Sequence, residues 1–227
     1  MKDDFDSQFF LSRLTSSRIC HDLVNSVSSL IFAIDSISDW ATNKDEANYN
    51  PIKLAERTIE ILQSRVNYFR YTFGAVDMGS GVAAYNKTKH LIFALFKEKD
   101  LVNFLWTVEH DQNLIDVANS ENMKLILNVF FVVFSLIPKV ADITVDTFFV
   151  DEDKDRLVVS ILVKGEQVKI SLDKIQALKL EVKEEDLTPI NIQAYLTGML
   201  AKSLGSVLEF RDNLKGEIQV ALTVDKV

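Results

Sequence analysis

Cys20, His21 and Asp22 put a thiol, an imidazole and a carboxylate side by side in the stretch "SSRICHDLVNSVSSL", Ser16 to Leu30. Cys20 is the only cysteine in the chain and His21 is one of three histidines. Three chemistries are open to them: a nucleophile with its base, a metal site, or a histidine acting alone. Around them Ile19, Leu23, Val27, Leu30, Ile34 and Ile37 recur at helical spacing, with no Gly or Pro between Ser7 and Trp40, which predicts one long helix. At roughly 100° per residue, His21 points about 160° away from the mean of those apolar positions and faces solvent. Cys20 projects about 100° from His21, and adjacent helical residues do not face each other, so a Cys/His pair has poor geometry and Cys20 is left a small structural role. A metal site would need more ligands, and His90 and His110 stand in unrelated segments, not three or four residues from His21. The His-Asp dipeptides at His21 and His110 are the kind of pattern a metal phosphohydrolase carries, a weak signal by itself. The bland alternative is a solvated surface histidine. Against it, Leu14, Ser17, Asn25, Ser28 and Phe32 share the His21 stripe, with Arg18 and Asp22 on its flank. Small polar side chains bounded by two apolar ones leave room for another protein to bring an electrophile to the ring.

The elements that must hold this stripe follow from composition. The chain has 227 residues, 48% of them hydrophobic, which suffices for a core, and only seven glycines and three prolines, which favour long regular elements. After the first helix, "ATNKDEANYNP" is polar and ends on Pro51, a helix-to-helix connection. Ala55, Ile59, Leu62, Val66, Phe69 and Phe73 then repeat the four-three spacing up to Gly74, where a helix should stop. These make a helical hairpin over residues 1–75. Apolar residues off the main seam, such as Ile31, Phe32, Ile61 and Tyr68, exceed what two helices can cover, which predicts that two hairpins pair as a dimeric four-helix bundle. Over residues 76–227 the runs "ADITVDTFFV", "RLVVSILVKG", "QVKISL" and "EIQVALTV" read as strands, and "ENMKLILNVFFVVFSLIP" and "NIQAYLTGMLAKSLG" as helices. The expected fold class is α+β, with a mostly antiparallel sheet backed by helices.

The formal charge of -8, with no Lys/Arg-rich run, argues against nucleic acid or an anionic membrane as the main partner. One cysteine cannot form an internal disulfide, and "MKDDFDSQFF" is not a signal segment, so a cytoplasmic protein is expected. The apolar run Leu125–Pro138 is shorter than a membrane span and holds Asn128 and Ser135.

"RICHDLVNSV" resembles the histidine motif of the ChpT-like histidine phosphotransferases of alphaproteobacteria, which runs Arg-x-Cys-His-Asp-Leu-(Ile/Val)-Ser-Pro-Val. Arg18, Cys20, His21, Asp22, Leu23, Val24 and Val27 match it. "RVNYFRYTFGA", from Arg65, is similar to the family's second-helix ending, and "NVFFVVFSLIPKVADITV" and "IQAYLTGMLAKSLGSVLEF" resemble its later helix-strand pairs in the same order. The chain departs from the pattern at Asn25-Ser26 for Ser-Pro, at Ser28-Ser29 for Gly-Ala, and at Lys139-Val140-Ala141 for Arg-Gly-Gly. Without the proline the helix should run straighter past the histidine.

The resemblance implies a dimeric hairpin of the histidine-kinase type followed by a degenerate kinase ATPase-like α/β sandwich. It implies a phosphorelay intermediate in which His21 is phosphorylated, Asp22 orients the ring, and Asn25 and Arg18 contact the phosphoryl group. Leu14, Ser17, Ser28 and Phe32 would meet the receiver domains of a hybrid kinase and of response regulators. No cofactor of its own is expected; the receiver would bring Mg2+. A kinase reading meets an obstacle. "DMGSG", Asp77 to Gly81, formally matches an adenine-binding turn but precedes the Asn128 helix instead of following it, and no glycine-rich lid follows. Asn128 is expected to serve helix packing. The alternative to transfer is a non-catalytic dimeric scaffold that binds receivers.

Overall fold

The computed structural model describes residues 2–43, 51–99, 101–108, 117–138, 140–150, 156–213 and 216–225. His110, Lys139 and most of the expected connection before Pro51 lie outside the described residues. Helix α1 (Lys2–Asn43) runs unbroken for 42 residues. Asn25 and Ser26 keep the backbone donors that a proline would remove, so the ladder continues past His21. The hydroxyls of Thr15, Ser26, Ser29 and Ser36 each donate to the carbonyl four residues earlier, which keeps them from competing for the helix. Helix α2 (Pro51–Thr72) opens on proline, whose missing N–H costs nothing at a first helical position. It ends before Gly74, where a Cβ would collide with the Arg70 carbonyl.

The two helices pack antiparallel through small side chains: Ser26 and Ala33 of α1 and Ala55 and Thr58 of α2 are buried. This alters the expected seam. Val27 and Ile34, read as seam residues, are 42% and 51% exposed, because α2 occupies only one flank of the apolar surface of α1. "DMGSG" forms the link from α2 to α3 (Gly81–Phe96). There Asp77 Oδ1 accepts from the Gly79 N–H at 2.8 Å, and Gly79 sits at φ 78°.

Strand β1 (Leu101–Val108), helix α4 (Ser120–Phe134), strands β2 (Val140–Phe149) and β3 (Arg156–Lys164), helices α5 (Leu172–Leu178) and α6 (Ile192–Ser203), and strands β4 (Val207–Asp212) and β5 (Glu217–Asp225) complete the chain. The sheet order is β1-β2-β3-β5-β4. Only β1 and β2 are parallel, with α4 as their crossover; the other three pairs are antiparallel. The fold is thus α+β as expected. Strand β2 alternates exposed and buried residues, and Ile143, Val145, Val159, Ile161, Val220 and Leu222 face the helices.

Three segments differ from the sequence expectation. "QVKISL" is not a strand: Val168 and Ile170 are buried from a loop, and Ser171 caps α5 by accepting from Lys174 N. Helix α3 and strand β1 were not expected. Their segments mix Lys and Asn with apolar residues because each shows only one face to the core.

The hairpin and the sheet share a core. Phe69 meets Phe131 of α4 edge-on at 5.3 Å, Tyr68 lies 5.9 Å from the same ring, and Tyr68 Oη donates to the Leu127 carbonyl at 2.5 Å. Ile19 and Leu23 of α1 pack on this cluster. The next residue stripe on α1 is therefore anchored to the α+β part of the molecule.

Candidate functional site on the first helix

His21 projects from the middle of α1 with its side chain 65% exposed. Its Nδ1 lies 3.2 Å from Asp22 Oδ1, and Asn25 Nδ2 stands 3.5 Å from the same nitrogen. Nε2 has no hydrogen-bond partner among the described residues. The Asp22 carboxylate, nearer and charged, outweighs the Asn25 amide donor and favours the tautomer with a proton on Nδ1, which leaves the Nε2 lone pair free. A neutral, outward-facing imidazole nitrogen is a nucleophile.

Asp22 is itself held. Its side chain is only 14% exposed, and Arg18 Nε lies 3.2 Å from Oδ2. That nitrogen is buried and poorly aligned for a hydrogen bond, so the contact is an ion pair by distance and not a good hydrogen bond. The backbone beneath is fixed from α2. Arg65 Nη1 donates to the Asp22 carbonyl at 2.8 Å and to Ser26 Oγ at 3.1 Å, while Nε and Nη2 form a two-pronged contact with Glu98, 2.8 Å each. Burial opposes the Arg65 charge, yet the hydrogen bond and attraction of Glu98, with Asp22 adding, hold the guanidinium above its ordinary pKa.

Of the remaining stripe, Ser17, Ser28 and Phe32 are exposed, Phe32 at 65%. Leu14 differs from the expectation of a free anchor: it is half-buried against the cluster of Leu11, Leu187 and Ile192, where the first turns of α1 rest on the segment around α6. Cys20 is exposed. Arg18, Asp22, Asn25 and Arg65 come together in the lining of a cavity of about 290 Å³ between α1, α2, α4 and α5. Sequence reasoning did not select Arg65 and Glu98 as site residues. Arg65 opens the second motif, which was a usable signal; Glu98 sits in "KEKD", indistinguishable from a solvated charge run.

Asn128 is 4% exposed and engaged at both ends, its Nδ2 donating to the Lys124 carbonyl at 2.8 Å and its Oδ1 accepting from Gln193 Nε2 at 2.9 Å. That is the packing role expected of it. No cluster of three metal-ligating side chains occurs, and no helix is long and apolar enough to cross a membrane, among the described residues.

The family model of the histidine phosphotransferase C-terminal domain matches residues 86–213, more than half of the chain. The chain belongs to the histidine phosphotransferase family. Among solved structures, a bacterial phosphotransferase is similar over 93% of this histidine phosphotransferase and 95% of its own chain, with TM-score 0.72 and 19% identity. That likeness shows a shared fold. The histidine kinase domain of the blue-light activated kinase of Erythrobacter litoralis EL346 aligns over 100% of this chain and 95% of its own, with TM-score 0.47 and 13% identity. The mycobacterial sensor histidine kinase MprB aligns over 66% and 95%, with TM-score 0.43 and 12% identity. No curated protein matches the sequence.

Proposed function

We propose that this histidine phosphotransferase moves a phosphoryl group between receiver-domain aspartates of a multistep phosphorelay, with His21 as the carrier. The observation that carries the proposal is the Asp22–His21 contact, which engages Nδ1 and leaves Nε2 outward. The Nε2 lone pair attacks the phosphorus of an aspartyl phosphate, the bond from phosphorus to the acyl oxygen breaks, and the aspartate leaves as a carboxylate. The phosphorylated ring keeps its Nδ1 proton and becomes cationic, and Asp22 stabilises that charge. A second receiver's carboxylate reverses the step. Both linkages are high-energy, so the exchange runs either way and the protein's work is positioning. The incoming receiver supplies Mg2+ for the phosphoryl oxygens. Arg18 and Asn25 flank the arriving group, and Phe32, Ser17 and Ser28 form the exposed surface on which the receiver rests.

The working unit in this reading is a cytoplasmic homodimer. Val24, Val27, Ile31 and Ile34 on α1, with Ile59 and Val66 on α2, are 42–59% exposed and form a stripe that a second hairpin would cover. Residues 1–75 then serve dimerisation and transfer, and residues 76–227 brace the hairpin without binding ATP.

The test is to mix the protein with a phosphorylated receiver domain. An acid-labile phosphoprotein that disappears in His21→Ala is expected. Receiver binding without any such species would overturn transfer and leave a scaffold.

A further inference from the structure

The cavity beside Asp22 carries two lysines, Lys99 and Lys174, to which phosphoryl transfer at Nε2 gives no part. Arg18, Arg65, Lys99 and Lys174 reach its wall from four separate elements or links. Two of them are neutralised, Arg18 by Asp22 at 3.2 Å and Arg65 by Glu98 at 2.8 Å. Lys99 and Lys174 have no carboxylate within ion-pair distance among the described residues. Lys99 Nζ donates to the Ile137 carbonyl and lies 4.3 Å over the Phe134 ring; Lys174 Nζ donates to Ser135 Oγ at 3.0 Å. Burial, and then repulsion from Arg18, pushes the Lys174 ammonium below its ordinary pKa. Two half-buried ammonium groups held by neutral oxygens cost free energy unless an anion joins them. The same lining includes the apolar rings of Phe69, Phe131 and Phe134. About 290 Å³ is the size of a small organic molecule.

We infer that this cavity binds a small organic anion, its phosphate or carboxylate head between Lys174 and Arg18 and its apolar body against the phenylalanines. An oxyanion there accepts charge-assisted hydrogen bonds from groups already gathered by the fold, so binding needs little ordering. The site adjoins the transfer surface, since Arg18, Asp22 and Asn25 line the cavity and Asp22 also contacts His21 Nδ1 at 3.2 Å; binding to the unphosphorylated protein tests it without any receiver.

Phenyl phosphate and inorganic phosphate, titrated separately into the full-length protein and followed by calorimetry, test this. Saturable one-site binding of phenyl phosphate is expected, several-fold tighter than inorganic phosphate because only the former has a body for the aromatic wall. Lys174→Met should weaken phenyl phosphate by about tenfold or more, and Lys174→Arg should largely restore it. Arg156→Met, which removes the same charge at a distant exposed site, should leave it unchanged. If neither probe saturates at millimolar concentration, or if Arg156→Met weakens binding as much as Lys174→Met does, the site is refuted. A melting curve matching the parent for each variant separates lost binding from lost fold.

Discussion

Arg65, on the second helix, donates to the backbone carbonyl of Asp22, on the first, at 2.8 Å. The same guanidinium grips Glu98 just beyond α3. One side chain therefore ties together the helix that carries the histidine, its hairpin partner and the α+β part of the chain. Its position beneath Asp22 fixes the backbone of the residue whose carboxylate contacts His21 Nδ1 at 3.2 Å.

Arg65→Met should destabilise the protein by about 3 kcal/mol, because it strands a Glu98 carboxylate whose side chain is 7% exposed. Urea unfolding reads this directly. Arg65→Met with Glu98→Gln should recover part of the loss, since the neutral amide no longer leaves a buried charge. A double variant no more stable than the single one would show that the pair is not the source.

Ser26 stands where the family motif carries proline, and the same relationship makes a prediction about that exchange. A proline in a helix interior costs about 3 kcal/mol, in part by orphaning the carbonyl four residues earlier. For Ser26 that carbonyl is Asp22 O, which Arg65 already satisfies. Ser26→Pro should therefore cost about 1 kcal/mol less than Ser29→Pro, which orphans the Asn25 carbonyl and also removes the Ser29 hydroxyl that donates to it. Equal unfolding midpoints for the two proline variants would contradict this.

How much of this was legible in the sequence differs by residue. Periodicity turned His21 outward, as its 65% exposed side chain shows, but spacing left it indistinguishable from a solvated histidine, and it was the resemblance of "RICHDLVNSV" that singled out His21, Asp22 and Arg18. Helix α4 and strands β2, β3 and β5 declared themselves by long apolar or alternating runs. Glu98 was not readable: its meaning depends on the α3–β1 link lying beside α2, a tertiary fact with no local pattern. Leu14 shares the stripe of His21 by angle, yet periodicity says nothing about α1 reaching the segment around α6, which half-buries it. "QVKISL" alternates like a strand because a loop that lies along a core also presents every second residue to it.

In the proposed transfer, Asp22→Asn should keep an acceptor near His21 Nδ1 but remove the charge that would stabilise a phosphorylated, cationic ring. Transfer from a phosphorylated receiver should slow on the order of 10²-fold, the effect typical of losing one preorganised electrostatic partner. Receiver affinity should change little, because the Asp22 side chain is largely covered by its own protein. Rapid-quench measurement of His21 phosphorylation, with affinity measured in parallel, separates the two. A variant that binds weakly but transfers at the parent rate once saturated would place Asp22 in docking and not in chemistry.

Ile31 is 55% exposed and Val24 59% on the flank of α1 that α2 leaves open. Removing each from water gains about 1.5–3 kcal/mol, and a glutamate there turns that gain into the burial of an unpaired charge. If the proposed homodimer forms on this stripe, Ile31→Glu and Val24→Glu should therefore each shift the protein toward monomer in light scattering. The hairpin itself should persist, because its internal contacts run through Ser26, Ala33, Ala55 and Thr58 on the opposite side. Circular dichroism should show helix content close to that of the parent. A dimer that survives both substitutions would mean that the second copy does not dock on this stripe, and the exposed apolar residues would then have to meet a different partner.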